Sequence, residues 1–182
     1  MTTVINLFGG PGIGKSSVAA VLYGELKTRG FSVELCREYA KYWAYRKHNI
    51  GEYDQLYMLG KQSHYESFLY GNVDYIVTDS PVLLAGFYAT WNWGEATNYI
   101  DYAAQSFVNH STSNGVTHWN FLLSREVPYD PNGRFESEED ANAIDVGLKY
   151  YLAHIDPKFR ELPIYSAKSR ILDRVYNQKD RL

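Results

Sequence analysis

Cysteine is almost missing from the 182 residues. Cys36 is the only one, which excludes an intrachain disulfide and any cysteine-based zinc centre. No apolar run approaches the ~18 residues of a membrane span. The opening residues, Met1-Thr2-Thr3-Val4-Ile5-Asn6, lack both the basic stretch and the long apolar core of a secretory signal. A reducing cytoplasm is therefore the expected compartment, with no membrane and no obligate protein partner. An excess of positive charge is missing too. With 18 Lys+Arg against 21 Asp+Glu the formal net charge is −3. That speaks against a broad electrostatic surface for nucleic acid and leaves only a local basic groove open. There is no repeat and no low-complexity linker. Hydrophobic and charged fractions of 45% and 21% are those of a globular chain, and this length fits one domain over residues 1–182.

Aromatic residues are abundant: 17 Tyr, 4 Trp and 8 Phe, 16% of the chain. Packing accounts for most of them, and some Tyr and Trp are expected to line a pocket for a flat ring.

Five apolar, β-branched segments alternate with helical patterns. Thr3–Phe8 reads as a buried strand that ends at two glycines. Val18, Val21, Leu22 and Leu26 then recur at helical spacing, with a stop near Gly30. Phe31–Cys36 predicts a second strand, and a helix follows from about Glu38. Asp54 reads as the N-cap of a helix running to about Tyr70. Val73–Thr78 is the third predicted strand, followed by a helix through Phe87, a loop at Trp91–Gly94 and a helix from Tyr99 to about Val108. His118–Leu123 predicts a fourth strand, then a polar segment to Glu139 and a helix over Ala143–His154. Pro163–Tyr165 predicts a fifth strand and Arg170–Tyr176 a closing helix. This order implies an α/β fold with a parallel sheet and right-handed crossovers. Ligands of such sheets bind beyond the carboxyl ends of the strands.

Gly9-Gly10-Pro11-Gly12-Ile13-Gly14-Lys15-Ser16 matches G-x-x-x-x-G-K-[ST] at every fixed position. The glycines let the backbone wrap a phosphate with its N–H groups inward, and the helix beginning near Lys15 adds its positive end. Residues 9–16 together with Ser17 are the expected nucleotide cradle. Lys15 reaches the β- and γ-phosphates, and the Ser16 hydroxyl is a ligand for Mg²⁺.

Asp79 ends an apolar strand, as the second acid of such a site does, and is expected to hold the magnesium. Asp79-Ser80-Pro81 equally spells a helix cap followed by proline. Glu38 follows the second strand, on the acceptor side, and fits a base that takes a proton from an acceptor hydroxyl; a first-turn acid complementing a helix dipole is the other reading. Arg37, Tyr39, Tyr42 and Trp43 are the expected acceptor contacts, with a solvated surface role open for Arg37. The segment of about residues 124–139 suits a short lid over the phosphates, in which Arg125 or Arg134 stabilises the transferring group. A long solvated loop is the alternative there. Ala167 and Lys168, after the last strand, stand where a nucleotide base is often held. The companion Asn-Lys-x-Asp of small GTPases is absent, so a GTPase is set aside. The five histidines show no metal spacing.

The glycine loop, Arg37-Glu38-Tyr39-Ala40, Asp79-Ser80 and the Pro128…Asp130…Gly133-Arg134 segment resemble the P-loop nucleoside and nucleotide kinases. The nearest likeness is to small AAA_28-type proteins, which include nicotinamide riboside kinase-like domains. The resemblance implies a five-stranded parallel sheet ordered 2-3-1-4-5 and the use of ATP with Mg²⁺. It places Glu38 at the acceptor, Asp79 at the magnesium and Arg134 in the lid. The tyrosine- and tryptophan-rich acceptor helices and the Trp91–Trp93 stretch depart from the pattern. Related phage-type kinases act on the hydroxymethyl group of a modified pyrimidine within DNA, so the acceptor classes are a nucleoside-like or nucleotide-like small molecule and a base in DNA. A P-loop NTPase switch, with no small-molecule acceptor, belongs to a different class.

Overall fold

The computed structural model describes residues 1–37, 43, 45, 46, 50–126, 128, 129 and 136–179. Its strands are β1 (Thr3–Phe8), β2 (Val33–Cys36), β3 (Tyr75–Thr78), β4 (Thr117–Ser124) and β5 (Arg160–Pro163). They form one parallel sheet in the order β2-β3-β1-β4-β5. The sheet order and class are those expected. Its helices are α1 (Lys15–Thr28), α2 (Glu52–Ser67), α3 (Val82–Trp93), α4 (Asn98–Ser113), α5 (Glu138–Ile155) and α6 (Ile164–Lys179). No helix among the described residues is long and apolar enough to cross a membrane.

Alternation along the strands sends side chains to two cores. Ile5 and Leu7 of β1, Val77 of β3 and Trp119, Phe121 and Leu123 of β4 meet α1 and α6 through Leu22, Leu26, Ile171 and Val175. On the other face, Phe8 and Leu122 join Leu59, Leu83, Phe87, Ile100 and Leu148. A smaller group of Val4, Cys36, Ile76 and Val116 lies apart from it. Val21, expected to point inward, is about half exposed, because the buried stripe of α1 runs through Val18, Ala19, Leu22 and Leu26.

Several boundaries differ from the sequence reading, each for a local reason. Gly51, not Asp54, caps α2. Asp54 stands three residues on, and its Oδ2 accepts the Gly51 N–H at 2.7 Å. The expected loop at Trp91–Gly94 is helix up to Trp93. Trp91 stacks on Phe87 at 5.6 Å between ring centroids, and Gly147 of α5 leaves it room: a Cβ there would lie 2.5 Å from Trp91 Cζ3. Helix α5 starts at Glu138, earlier than Ala143, because Ser137 and Asp140 form a reciprocal cap. The fifth strand is Arg160–Pro163. Ile164 and Tyr165 already belong to α6, since parallel pairing ends at Ser124↔Pro163 and Ile164 turns into the core.

Candidate active site

The loop between β1 and α1 has the left-handed backbone that its spelling calls for: φ is +74° at Gly12 and +97° at Gly14. Helix α1 begins at Lys15 with neither a capping side chain nor an acid in its first turn. Its positive end is thus left for an anion. Lys15 Nζ donates to the carbonyls of Gly9 at 2.6 Å and Gly10 at 3.0 Å, so the lysine lies folded along its own loop. The Ile13 side chain is fully buried in the core, which leaves its backbone as the part available to a ligand.

β3 lies beside β1 in parallel, with Asn6 opposite Thr78. The loop after Phe8 and the acid after Thr78 therefore emerge next to each other. Asp79 is buried, at 3% exposure. Thr78 Oγ1 accepts from the Ser80 N–H at 3.1 Å and from Gln62 Nε2 of α2 at 3.2 Å, which ties the Asp79 turn to that helix. Among the described residues no three His, Cys, Asp or Glu side chains gather into a metal cage. A hydroxyl at Ser16 and a carboxylate at Asp79 are hard oxygen donors. They fit a magnesium ion that takes its other ligands from phosphate and water.

Arg125 follows β4 and faces the phosphate loop. Its Nη2 donates to the Pro11 carbonyl at 2.9 Å, and its Nε and Nη2 both bind Asp145 Oδ2 of α5 at 2.9 Å. Asp145 Oδ1 accepts the Gly10 N–H at 2.5 Å. Gly10 must be glycine for this contact: a Cβ would lie 2.6 Å from Asp145 Oδ1 and 2.8 Å from the Ala141 carbonyl. The Tyr129 ring lies over Gly12, 3.0 Å from where a Cβ would stand, and its hydroxyl donates to the Glu136 carbonyl. Sequence reasoning missed Asp145. An acid in the middle of a helix carries no local signal; only the tertiary approach of α5 to Gly10 reveals it.

A family profile described as AAA domain, AAA_28, matches residues 4–170. The chain belongs to the AAA_28 family. No protein of curated function matches it in sequence. Among solved structures, this AAA_28 chain is similar to the NadR protein in complex with NR at TM-score 0.66 and 15% identity. That match covers 89% of this chain and 45% of NadR, so the chain spans less than half of that protein. It is similar to deoxyadenosine kinase from M. mycoides with bound dATP at TM-score 0.58 and 16% identity, over 94% and 98% of the two chains. APS kinase CysC from Mycobacterium tuberculosis gives 0.53 and 13%, over 96% and 97%. At these identities the likeness is one of fold, and the fold is that of P-loop kinases.

Of the expected acceptor contacts, Arg37 is exposed just past β2. Trp43 stacks on Tyr57 of α2, 6.0 Å between centroids at 18°. Glu38, Tyr39, Tyr42 and Arg134 lie outside the described residues, as does the middle of the expected lid. Ala167 and Lys168 stand in the first turns of α6 and not in a loop. Ala167 is fully buried in the core and presents no surface to a ligand, whereas Lys168 is exposed. Ile164 Cδ1 would lie 3.3 Å from a Cβ at Gly14, so the start of α6 abuts the phosphate loop.

Proposed function

We propose that this protein is a kinase that moves the γ-phosphoryl group of ATP to a hydroxyl of a nucleoside, nucleotide or nucleobase. The observation that carries this reading is the glycine loop between β1 and α1, with Lys15 on it, Asp79 beside it and Arg125 across it. Backbone N–H groups of residues 9–17 take the phosphates. Lys15 leaves the Gly9 and Gly10 carbonyls for the β- and γ-phosphate oxygens. Ser16 and Asp79 would hold Mg²⁺, whose charge would offset that of the phosphates. The acceptor oxygen forms its bond to the γ-phosphorus as the bond to the β–γ bridging oxygen breaks, and ADP leaves with that electron pair. Glu38 takes the acceptor's proton, and Arg125, with Arg134 of the lid, meets charge on the transferring group. Arg37, Tyr39, Tyr42 and Trp43 hold the acceptor, and Lys168 lies toward the base of ATP. The compartment proposed is the cytoplasm.

ADP release coupled to a reporter, screened across nucleosides, nucleotides and DNA bearing a hydroxymethyl pyrimidine, tests the reading. Transfer to a small molecule supports it. Transfer only to DNA moves the acceptor to a base in a strand, and ADP release that needs no acceptor makes the protein an NTPase. Lys15→Ala is expected to lower transfer at least ~100-fold with the fold intact, the scale of losing a preorganised charge contact. A variant that keeps most of its activity would remove the phosphate-loop argument. Glu38→Gln is expected to slow transfer by roughly 10²-fold while acceptor-free hydrolysis barely changes. A parallel fall in both rates would place Glu38 on the nucleotide side.

A further inference from the structure

Arg125 is held from three sides. Nε and Nη2 lie on one oxygen of Asp145, Nη2 also reaches the Pro11 carbonyl, and the Tyr129 ring covers the guanidinium at 6.0 Å from its centroid. The third nitrogen, Nη1, is buried and has no hydrogen-bond partner among the described residues. It points to the phosphate loop, 3.7 Å from where a Cβ of Gly12 would stand. A buried guanidinium N–H without an acceptor is costly, so a site that keeps one is built for an acceptor that arrives. The same Asp145 also takes the Gly10 N–H through its other oxygen. One carboxylate on α5 therefore fixes the loop and the arginine in a common frame.

We propose that Asp145 is a positioning residue that aims Arg125, engaging Nε and Nη2 so that Nη1 alone is presented over Gly12 to the terminal phosphate of a bound nucleoside triphosphate. The inference rests on the kinase reading for the identity of its ligand. Asp145 itself touches no phosphate. Its negative charge would repel one, and it acts by orienting a planar fork whose geometry a lysine cannot reproduce. The geometry also gives the site a way to tell a triphosphate from a diphosphate, since Nη1 finds its partner only when the last phosphate is present.

The test is a double-mutant cycle read in binding. Affinities for ADP and for a non-hydrolysable ATP analogue are measured by calorimetry on the full chain, wild type and Asp145→Asn, Arg125→Ala and the pair. Arg125→Ala is expected to cut the preference for the triphosphate roughly 10-fold or more, the scale of one charge-assisted hydrogen bond. Asp145→Asn should lose about as much although the arginine is still present, and the pair should lose no more than Arg125→Ala alone. A preference unchanged in Asp145→Asn, or losses that multiply in the pair, would overturn the proposal. Thermal melting monitors folding. Should Asp145→Asn fail to fold, Arg125→Lys decides: it keeps the charge and one contact to Asp145 but has no aimed third nitrogen, and a retained preference would sink the idea. A chain that prefers the triphosphate through Arg125 yet phosphorylates nothing would refute the kinase reading and leave this inference standing.

Discussion

The two faces of the sheet are built differently. Under α1 and α6 the strands present Ile5, Leu7, Val77, Phe121 and Leu123, and apolar side chains dominate the core there, with Thr3 buried beside Ile5. The opposite face carries a row of polar side chains in register across three strands: Thr78 of β3 opposite Asn6 of β1, and Asn6 opposite Asn120 of β4. Asn6 Nδ2 donates to Asn120 Oδ1 at 2.9 Å and contacts His118 Nδ1 at 3.3 Å. His118 Nε2 meets Ser111 Oγ of α4 at 2.8 Å. From α2, Gln62 Nε2 donates to both Thr78 Oγ1 and Glu66 Oε1, and the Tyr70 hydroxyl donates to Glu66 Oε2. This belt separates the two apolar clusters of that face. Buried polar groups destabilise a fold unless they are paired; here they are paired, and the bonds from Gln62 through Thr78 reach the Asp79 turn. The apolar face anchors the phosphate loop by bulk burial, while the polar face fixes the acid beside it by directed bonds.

If that division is right, a cavity in the apolar face should produce the largest loss of stability. Leu26 of α1 is fully buried among apolar neighbours. Leu26→Ala is expected to cost about 2–5 kcal/mol in urea unfolding, with the ADP-release rate of the folded fraction little changed. A loss under about 1 kcal/mol would mean that this face is not the one that holds the loop in place.

The polar face should show itself in pH dependence. Burial pushes the Glu66 carboxyl up from 4.5 to about 7, against the pull of its bonds to Gln62 and Tyr70. The native state then holds that proton longer than the unfolded chain, so this contribution is lost as pH rises from 4.5 to 7. Burial pulls His118 down from 6.5 to about 4. The unfolded chain binds that proton first, so the His118 contribution is lost as pH falls from 6.5 to 4. Each term is on the order of 3 kcal/mol at most. Between pH 4.5 and 6.5 the two slopes oppose, and the wild type should be nearly flat there. Glu66→Gln should expose a stability that climbs with pH over 4–6.5, and His118→Asn one that declines over 4.5–7. Urea midpoints at half-unit pH steps read both, and parallel curves for the three proteins would show that neither group titrates differently on folding.

The apolar face was the legible one. Strand β1 agrees with the sequence reading at both ends because six buried residues run straight into a glycine loop with one chemical reading. The acid at the end of β3 was equally visible, since a strand of Tyr75–Thr78 followed by Asp79 places it beside that loop. Helix ends decided by distant packing were not visible. Trp91 extends α3 because Gly147, more than fifty residues later, makes space for it. Ala167 reads as loop from its neighbours and is helix because Ile164 and Ala167 turn into the core. The belt was hidden for the same reason. Gln62, Glu66 and His118 look like surface residues one at a time, and only the docking of α2 and α4 on the polar side chains of β3, β1 and β4 pairs them.

The smallest effect is expected from two glycines that face neither core. Gly24 lies in the middle of α1, over the apolar face, and Gly60 in the middle of α2, over the polar one. A Cβ at either position would meet nothing within 4 Å, and neither has a positive φ. Alanine at such a position stabilises mainly by restricting the unfolded chain, by about 0.5–1 kcal/mol. That term is local and knows nothing of what the helix covers. Gly24→Ala and Gly60→Ala should therefore raise the urea midpoint by the same amount, and the double variant should gain their sum, because the two sites share no partner. Equal gains would locate the difference between the faces in the buried belt and not in the helices above it. A gain at Gly24 paired with a loss at Gly60 would show that α2 must bend or shift at its centre, and would move the distinction from the side chains beneath the helix to its backbone.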